Sequence, residues 1–511
     1  MRRLTLIAIM ILGLGLSLWA QTPQVIRHAN PEAALQSRWD WAIKAAAKAE
    51  GGQGAWVVYT IEKRMGINSF TGTLNGDNWQ DKVSLHEWLY GEKVNYAEDQ
   101  DKAGLSQAEI IRREARKALS DMNRDEEDEK PQVLKELAFL FSVDRKGDLG
   151  ALRISNTELH VKLDGRPLIW CGKADPVQSR DLLLNLFNKA QDLDTQKHLL
   201  HAQGAHPSDA KTTAFFTAIV KGNGDDELRE DAAFWLGQSD DPDALKTLIE
   251  VAKADRNEDV REKAVFAISQ LELPEALDAL IDLAYDAPHG GVREKAVFWM
   301  GQSKSPKALK TLKGIAQKDP DEDVREKAVF AISQIKLDEA SDILTDLAYH
   351  APHVNVREKA VFWLGQRKDP SALKTLLDMA NNDASTDIRE QAVFGITQMR
   401  STEALEALID LAYHAKNQAV REKAIFWLGQ KASSKAAEAL EKVASDSPGD
   451  LDIQEQAVFA ISQLPKDEGV PKLIKIAQTH PSVRIRKKAI FWLGQSGDQR
   501  ALDALVSLIQ K

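Results

Sequence analysis

The stretch Val292-Arg293-Glu294-Lys295-Ala296-Val297-Phe298-Trp299-Met300-Gly301-Gln302 decides how this 511-residue chain folds, because the chain writes it again and again. Its Phe recurs at Phe234, Phe266, Phe298, Phe330, Phe362, Phe394, Phe426, Phe459 and Phe491, with successive spacings of 32 six times, then 33, then 32. Such a period belongs to repeat architectures, where each copy is one supersecondary unit that buries its apolar face only by stacking on a neighbour. Advancing about 100° per residue puts Val292, Ala296, Trp299 and Met300 on one side of a helix, the expected core. Arg293 borders that side, and Glu294, Lys295, Phe298 and Gln302 lie opposite. Each phrase is followed by a second helical segment such as Pro242–Ala252, with Ala244, Leu245, Leu248, Ile249 and Ala252 on one face. Asp241-Pro242, Ser305-Pro306 and Asp369-Pro370 each supply an N-cap followed by proline at the first helical position. The unit is helix–turn–helix, nine times over.

A second regularity doubles the period. The residue after the Phe is Trp235, Trp299, Trp363, Trp427 or Trp492 in one set of copies, and Ala267, Ala331, Gly395 or Ala460 in those between. Two residues later Gly237, Gly301, Gly365, Gly429 and Gly494 alternate with Ser269, Ser333, Thr397 and Ser462. The true repeat is therefore a pair of helix pairs, 64 residues long. Two Trp rings on adjacent helices would overfill the gap, whereas Trp against Ala fits, so the five Trp are expected in the structural core. The opposite face is constant: the nine Phe are joined by Gln238, Gln270, Gln302, Gln334, Gln366, Gln398, Gln430, Gln463 and Gln495. A contiguous aromatic stripe reads as a contact surface for a protein or peptide. The same rings can instead pack on one another as a ladder, and recent duplication would copy them whether used or not.

The run Asp-Val-Arg-x-x-Ala, seen at Asp259-Val260-Arg261 and Asp323-Val324-Arg325, resembles the HEAT-like repeats named after phycobilisome lyases, over about 290 residues. The resemblance implies a mainly α fold: an α-solenoid of HEAT-like helix pairs, with the Phe-bearing helices lining its concave surface. It says little about function, because such arrays serve many roles. The second-position Arg is present in eight copies, Gln454 being the exception, and an Asp precedes the first apolar position at 259, 323, 387 and 452. As in similar arrays, these are expected to form a ladder of ion pairs between neighbouring repeats.

Two enzymatic alternatives come with the resemblance. Deoxyhypusine hydroxylases are similar arrays that bind two irons through His-Glu pairs at the start of the inner helix. Here those positions read Glu-Lys, as at Glu262-Lys263, Glu326-Lys327 and Glu358-Lys359, so the imidazole ligands are missing. A bilin lyase would bind a chromophore and a phycobiliprotein, and nothing beyond the repeats favours it. His289, His350, His353 and His414 fall in turns, too sparse for a metal site. His86-Glu87 opens a zincin-like phrase that fails, since Tyr90 stands where the second His belongs. No catalytic residue, metal or cofactor is expected.

Ahead of the array the pattern changes. Asn30-Pro31 reads as a helix start and Gly51-Gly52 as its stop. Ala55–Ile61, Leu137–Val143, Leu149–Ile154 and Leu159–Leu163 read as strands, Ser106–Leu119 as a helix, and Asp121–Lys130 as a charged linker. The expected division is a signal peptide over 1–20, a small α+β domain over 21–177 with its linker near 121–130, a capping helical repeat over 178–222, and the HEAT-like array over 223–511. Arg2 and Arg3 before the uncharged run Leu4–Trp19, with Ala20-Gln21 at the cut, give the layout of a secretory signal, the alternative being an N-terminal membrane anchor. No membrane span is expected after cleavage. Export to the periplasm or the medium is expected, and the single cysteine, Cys171, which follows a strand-like run, can form no intramolecular disulfide, so such a protein must rely on packing alone. Sixty-seven Lys and Arg against 77 Asp and Glu leave a net charge of −10, which argues against nucleic acid as a partner. The expected function is an exported, non-catalytic scaffold that binds a protein or peptide along its concave face.

Overall fold

The computed structural model describes residues 24–49, 54–66, 84–91, 132–159, 161–239, 241–303, 305–367, 369–431, 433–446 and 450–510. The signal segment, the helix expected at Ser106–Leu119 and the linker Asp121–Lys130 lie outside the described residues. The chain divides into two compact units after Ala244.

The first unit is built on a five-stranded sheet in the order β1-β5-β2-β3-β4, from Val25–Arg27 (β1), Ala55–Gly66 (β2), Gln132–Val143 (β3), Leu149–Asn156 (β4) and Leu168–Lys173 (β5). The long hydrophobic strands β2 and β3 pair antiparallel along their whole length, Ala55 opposite Val143 and Gly66 opposite Gln132. β5 runs parallel to both β1 and β2. Both faces of the sheet are covered, which explains why β2 reads as a continuous apolar run rather than an alternation. Val57, Tyr59 and Ile61 face helices Leu35–Ala47, Pro176–Lys189 and Leu193–Gly204, while Trp56 and Val58 face helix Leu85–Tyr90 and the loop of Val161 and Leu163. Helices 176–189 and 193–204, expected within a capping repeat, thus share the sheet's core through Leu182, Leu183, Leu199 and Ala202. Asp175, Asp192, Asp209 and Asp225 cap the four successive helices from 176 to 236, each accepting a backbone N–H of the first turn.

Two local expectations need correction. The described residues of the expected strand Leu159–Leu163 form no strand: Leu159, Val161 and Leu163 are buried in irregular backbone. Its carbonyls serve other partners: Leu159 O accepts Leu85 N–H at 2.9 Å, and Leu163 O accepts the Trp56 indole at 3.1 Å. The first helix begins at Leu35, four residues later than Asn30-Pro31 indicated. Asn30 Oδ1 is spent on a turn, accepting Glu32 N–H at 3.0 Å, and Leu35 N–H goes to Gln178 Oε1 at 2.8 Å, a cap supplied from far along the chain. The short edge strand β1 carried no signal of its own, being three residues long.

The second unit is an α-solenoid of HEAT-like helix pairs. Phrase helices Glu258–Gln270, Gly290–Gly301, Glu322–Gln334, Val354–Arg367, Thr386–Gln398, Gln418–Gly429, Leu451–Ser462 and Val483–Gln495 alternate with partner helices such as Ala276–Asp286 and Pro306–Lys318. In the copy quoted first, Val292, Ala296, Val297 and Met300 are fully buried. In partner helix 306–318 the buried set is Ala308, Leu309, Leu312, Ile315 and Ala316, the amphipathic stripe that a packed helix requires. Among the described residues, no helix is long and apolar enough to cross a membrane.

Candidate functional site

The buried arc of a phrase helix runs from Val292 through Ala296 and Met300 to Val297, which leaves Trp299 at its edge. Trp235, Trp299, Trp363, Trp427 and Trp492 are accordingly half-buried rather than enclosed. Each of the four Trp in the second unit sits between two Phe rings. Trp299 touches Phe298 of its own helix and Phe266 of the preceding phrase helix, both with ring centroids at 5.1 Å. Trp363 meets Phe362 at 4.9 Å and Phe330 at 5.1 Å, Trp427 meets Phe426 at 5.2 Å and Phe394 at 5.3 Å, and Trp492 meets Phe491 at 5.0 Å and Phe459 at 5.3 Å. These are tilted or edge-to-face contacts, the geometry that ring quadrupoles favour. In the first unit Trp235 likewise contacts Phe234. Most of the Phe are half-buried by these contacts, while Phe426 and Phe491 are 43% and 54% exposed.

The alternation of Gly with Ser has two physical causes. A Cβ on Gly301 would lie 2.8 Å from Ala331 Cα, and one on Gly429 2.9 Å from Ala460 O, so the Trp-bearing helix approaches the next phrase helix closely through its glycine. In the intervening helices, Ser269, Ser333, Thr397 and Ser462 each donate to the carbonyl of the Phe three residues back, at 2.6 Å. Each hydroxyl also accepts the amide of the following Gln270, Gln334, Gln398 or Gln463 at 3.0–3.2 Å. That local bond accounts for four of the nine Gln. Gln366 and Gln398 are half-buried, and the other seven are exposed.

Charged rungs flank the rings. Lys295 reaches Glu262 at 2.9 Å, Lys327 reaches Glu294 at 2.8 Å, Lys359 reaches Glu326 at 2.9 Å and Lys423 reaches Glu390 at 2.7 Å. Glu262, Glu294, Glu326 and Glu390 are thus each committed to a lysine of the next phrase helix. Among the described residues, no group of three or more His, Cys, Asp or Glu side chains could hold a metal ion. Between the third and fourth of these phrase helices lies a cavity of about 440 Å³, lined by Phe330, Phe362, Trp363, Glu326, Glu358 and Gln391 among others.

The second-position arginines choose different partners from those expected. Asp259, Asp323, Asp387 and Asp452 are exposed on the first turn, where their charge faces the positive helix end, and of the four Asp452 alone has an ion pair shown to the next copy, with Arg484 at 2.7 Å. Arg293 instead grips Asp319 with two bonds of 3.0 and 3.2 Å, Arg357 pairs with Asp383, and Arg421 with Asp450 at 2.7 Å. Arg325 and Arg389 donate to the backbone carbonyls of those same residues, Asp319 and Asp383, at 2.8 and 2.5 Å. One loop aspartate therefore ties together two consecutive copies. In the first unit Cys171 is buried and its thiol is pushed up to about 12 by that burial, which makes it unreactive.

Comparison with known families closes the question of kinship. HEAT repeats match at residues 212–297, 286–353, 348–414, 373–462 and 449–511, more than half of the chain. The chain belongs to the HEAT-repeat family. Among solved structures, this HEAT protein is similar to human deoxyhypusine hydroxylase in complex with glycerol at 18% identity, over 51% of this chain and 96% of that one, with a TM-score of 0.22. The complex of CpcE and CpcF of phycocyanin lyase from Nostoc matches at 20% identity over 50% of this chain and 97% of the other, with a TM-score of 0.25. The karyopherin Kap121p, bound to the extreme C-terminus of the protein phosphatase Cdc14p, matches at 12% identity over 66% of this chain and 43% of its own, with a TM-score of 0.41. Comparison with curated proteins finds no match.

Proposed function

We propose that the HEAT array is a non-catalytic scaffold that holds a protein or peptide partner along the face of its phrase helices, and that the protein works outside the cytoplasm. The observation that carries the first half is the aromatic face. Four Phe–Trp–Phe sets follow one another along the unit, each Trp tilted against the Phe of the preceding phrase helix and edge to face with its own, with Phe426 and Phe491 open to solvent. Contiguous half-exposed aromatic rings are the usual anchors of protein interfaces. Ring-on-ring packing and partner binding are compatible: a ladder that holds its own rings in place loses little side-chain freedom when something docks on it. The exported location rests on Arg2, Arg3 and the apolar run Leu4–Trp19. An iron-hydroxylase reading has no support, since Glu262 and Glu326 answer lysines and no imidazole stands beside them.

Replacing Phe298, Phe330 and Phe362 together with Ser is expected to abolish retention of a partner from an extract of the producing cells. Helix content should stay within a few per cent of the parent, because the buried stripe of Val, Ala and Met is untouched. Circular dichroism and a pull-down read by mass spectrometry check this together, with Phe→Leu at the same three positions as the control for packing. Retention of the same partner by a folded Ser variant would sink the binding face.

A further inference from the structure

The Glu–Lys rungs have a gap in the middle of the array. Lys327 answers Glu294 and Lys359 answers Glu326, but the residue that should answer Glu358 is Gln391. Among the described residues Glu358 makes no ion pair. It lies instead on the wall of the 440 Å³ cavity beside Phe330, Phe362 and Trp363, whose lining carries four carboxylates against two lysines. Both lysines, Lys327 and Lys359, are already paired. Phe394 closes the aromatic surface by stacking on Phe362 at 6.3 Å and 9°. A cavity with aromatic rings and an unanswered carboxylate is the chemistry that receives a cation, through charge-assisted hydrogen bonds and the negative ring face.

The same gap occurs again one 64-residue period later. Gln456 stands where a lysine would answer Glu422, and among the described residues Glu422 accepts only the Gln418 amide, at 2.9 Å. It too stands one helical turn from a Phe–Trp–Phe set, that of Phe394, Trp427 and Phe426. Two helix spacings of 8–10 Å separate the gaps by roughly 16–20 Å. An extended chain covers that distance in about five or six residues.

Building on the scaffold reading, we infer that Glu358 and Glu422 anchor two basic side chains, about six residues apart, in an extended segment of the partner. The cavity beside Phe330, Phe362 and Trp363 receives the first. The two glutamines are what keep these sites open: a lysine at either position would fill its site from within the array.

The test uses the full chain and a fluorescein-labelled Gly/Ser peptide with two arginines about six residues apart. Its counterpart carries citrulline, which keeps the shape and removes the charge. In fluorescence anisotropy the arginine peptide should bind roughly tenfold tighter than the citrulline peptide. Gln391→Lys and Gln456→Lys should each weaken it several-fold, and Glu358→Gln should do the same, all with unchanged helix content. Equal binding of the two peptides overturns the proposal. So does arginine-peptide binding that ignores Gln391→Lys, which would be a general attraction to an acidic chain. If either happens while the Phe298/Phe330/Phe362→Ser variant still loses its partner, the face binds by other chemistry. If that variant keeps its partner, the scaffold reading itself has failed.

Discussion

Gly365→Ala is expected to destabilise the repeat array by about 1–3 kcal/mol, the cost of overpacking a well-filled contact. Helix propensity alone predicts the opposite sign, since alanine gains roughly 1 kcal/mol over glycine inside a helix. Geometry decides between them. The new Cβ would stand 2.4 Å from Gly395 Cα, 2.9 Å from its oxygen and 3.0 Å from its carbonyl carbon. All three atoms are backbone, so no side chain can swing aside, and helices 354–367 and 386–398 must part. Separation also pulls Phe362 from Phe394. Gly494 is the internal control, because it occupies the same phrase position and its Cβ would meet nothing within 4 Å. Thermal melting should show Gly365→Ala falling by several degrees and Gly494→Ala unchanged or slightly raised. A rise for both would mean that the close approach carries no load.

Acid should weaken the first unit through one histidine. His206 is 4% exposed, with Nδ1 3.0 Å from Ala202 O and Nε2 2.8 Å from the Ser179 hydroxyl, which in turn lies 2.9 Å from the Tyr59 hydroxyl. A carbonyl can only accept, so Nδ1 carries a proton. Burial pushes its pKa from the ordinary 6.5 down to about 4, with Arg180 and Lys63 adding repulsion. In the unfolded chain the ring protonates first as pH falls. The stability it contributes is therefore complete above about 6.5, declines between 6.5 and 4, and is gone below. At 1.36 kcal/mol per pH unit the loss is on the order of 3 kcal/mol. Urea midpoints followed by tryptophan fluorescence at several pH values should show this slope in the parent chain and a flatter one in His206→Gln. Identical slopes would assign the acid sensitivity to carboxylates instead.

The array was legible in the sequence because its signal is redundant: nine copies of one phrase fix the helix, its start and its turn. The core edge was harder to read. A wheel centred on Val292 and Ala296 admits either Trp299 or Val297 as the flank, and only packing against the partner helix selects the valine. The arginine partners were missed because Asp319 and Asp383 lie 26 residues downstream of Arg293 and Arg357, beyond the loop, while nearer aspartates looked equally suitable. The Ser–Gln bond could have been found, since Ser269-Gln270, Ser333-Gln334 and Ser462-Gln463 recur together in alternate copies. In the first unit, Leu159–Leu163 is as apolar as a strand, and what denies it a ladder is a tertiary demand for its carbonyls. The open carboxylate at Glu358 needed both levels, the exception at Gln391 in the sequence and the ring-lined cavity in the structure.

The alternation of glycine-bearing and serine-bearing helices gives the array a parity. Each Trp helix needs a small-residue neighbour on its glycine side, so deleting one 32-residue copy would set two indoles against each other, whereas deleting two would rejoin matching surfaces. Gains and losses of length should thus be tolerated in even steps only. Relatives of this chain that differ in span would then count their copies by twos.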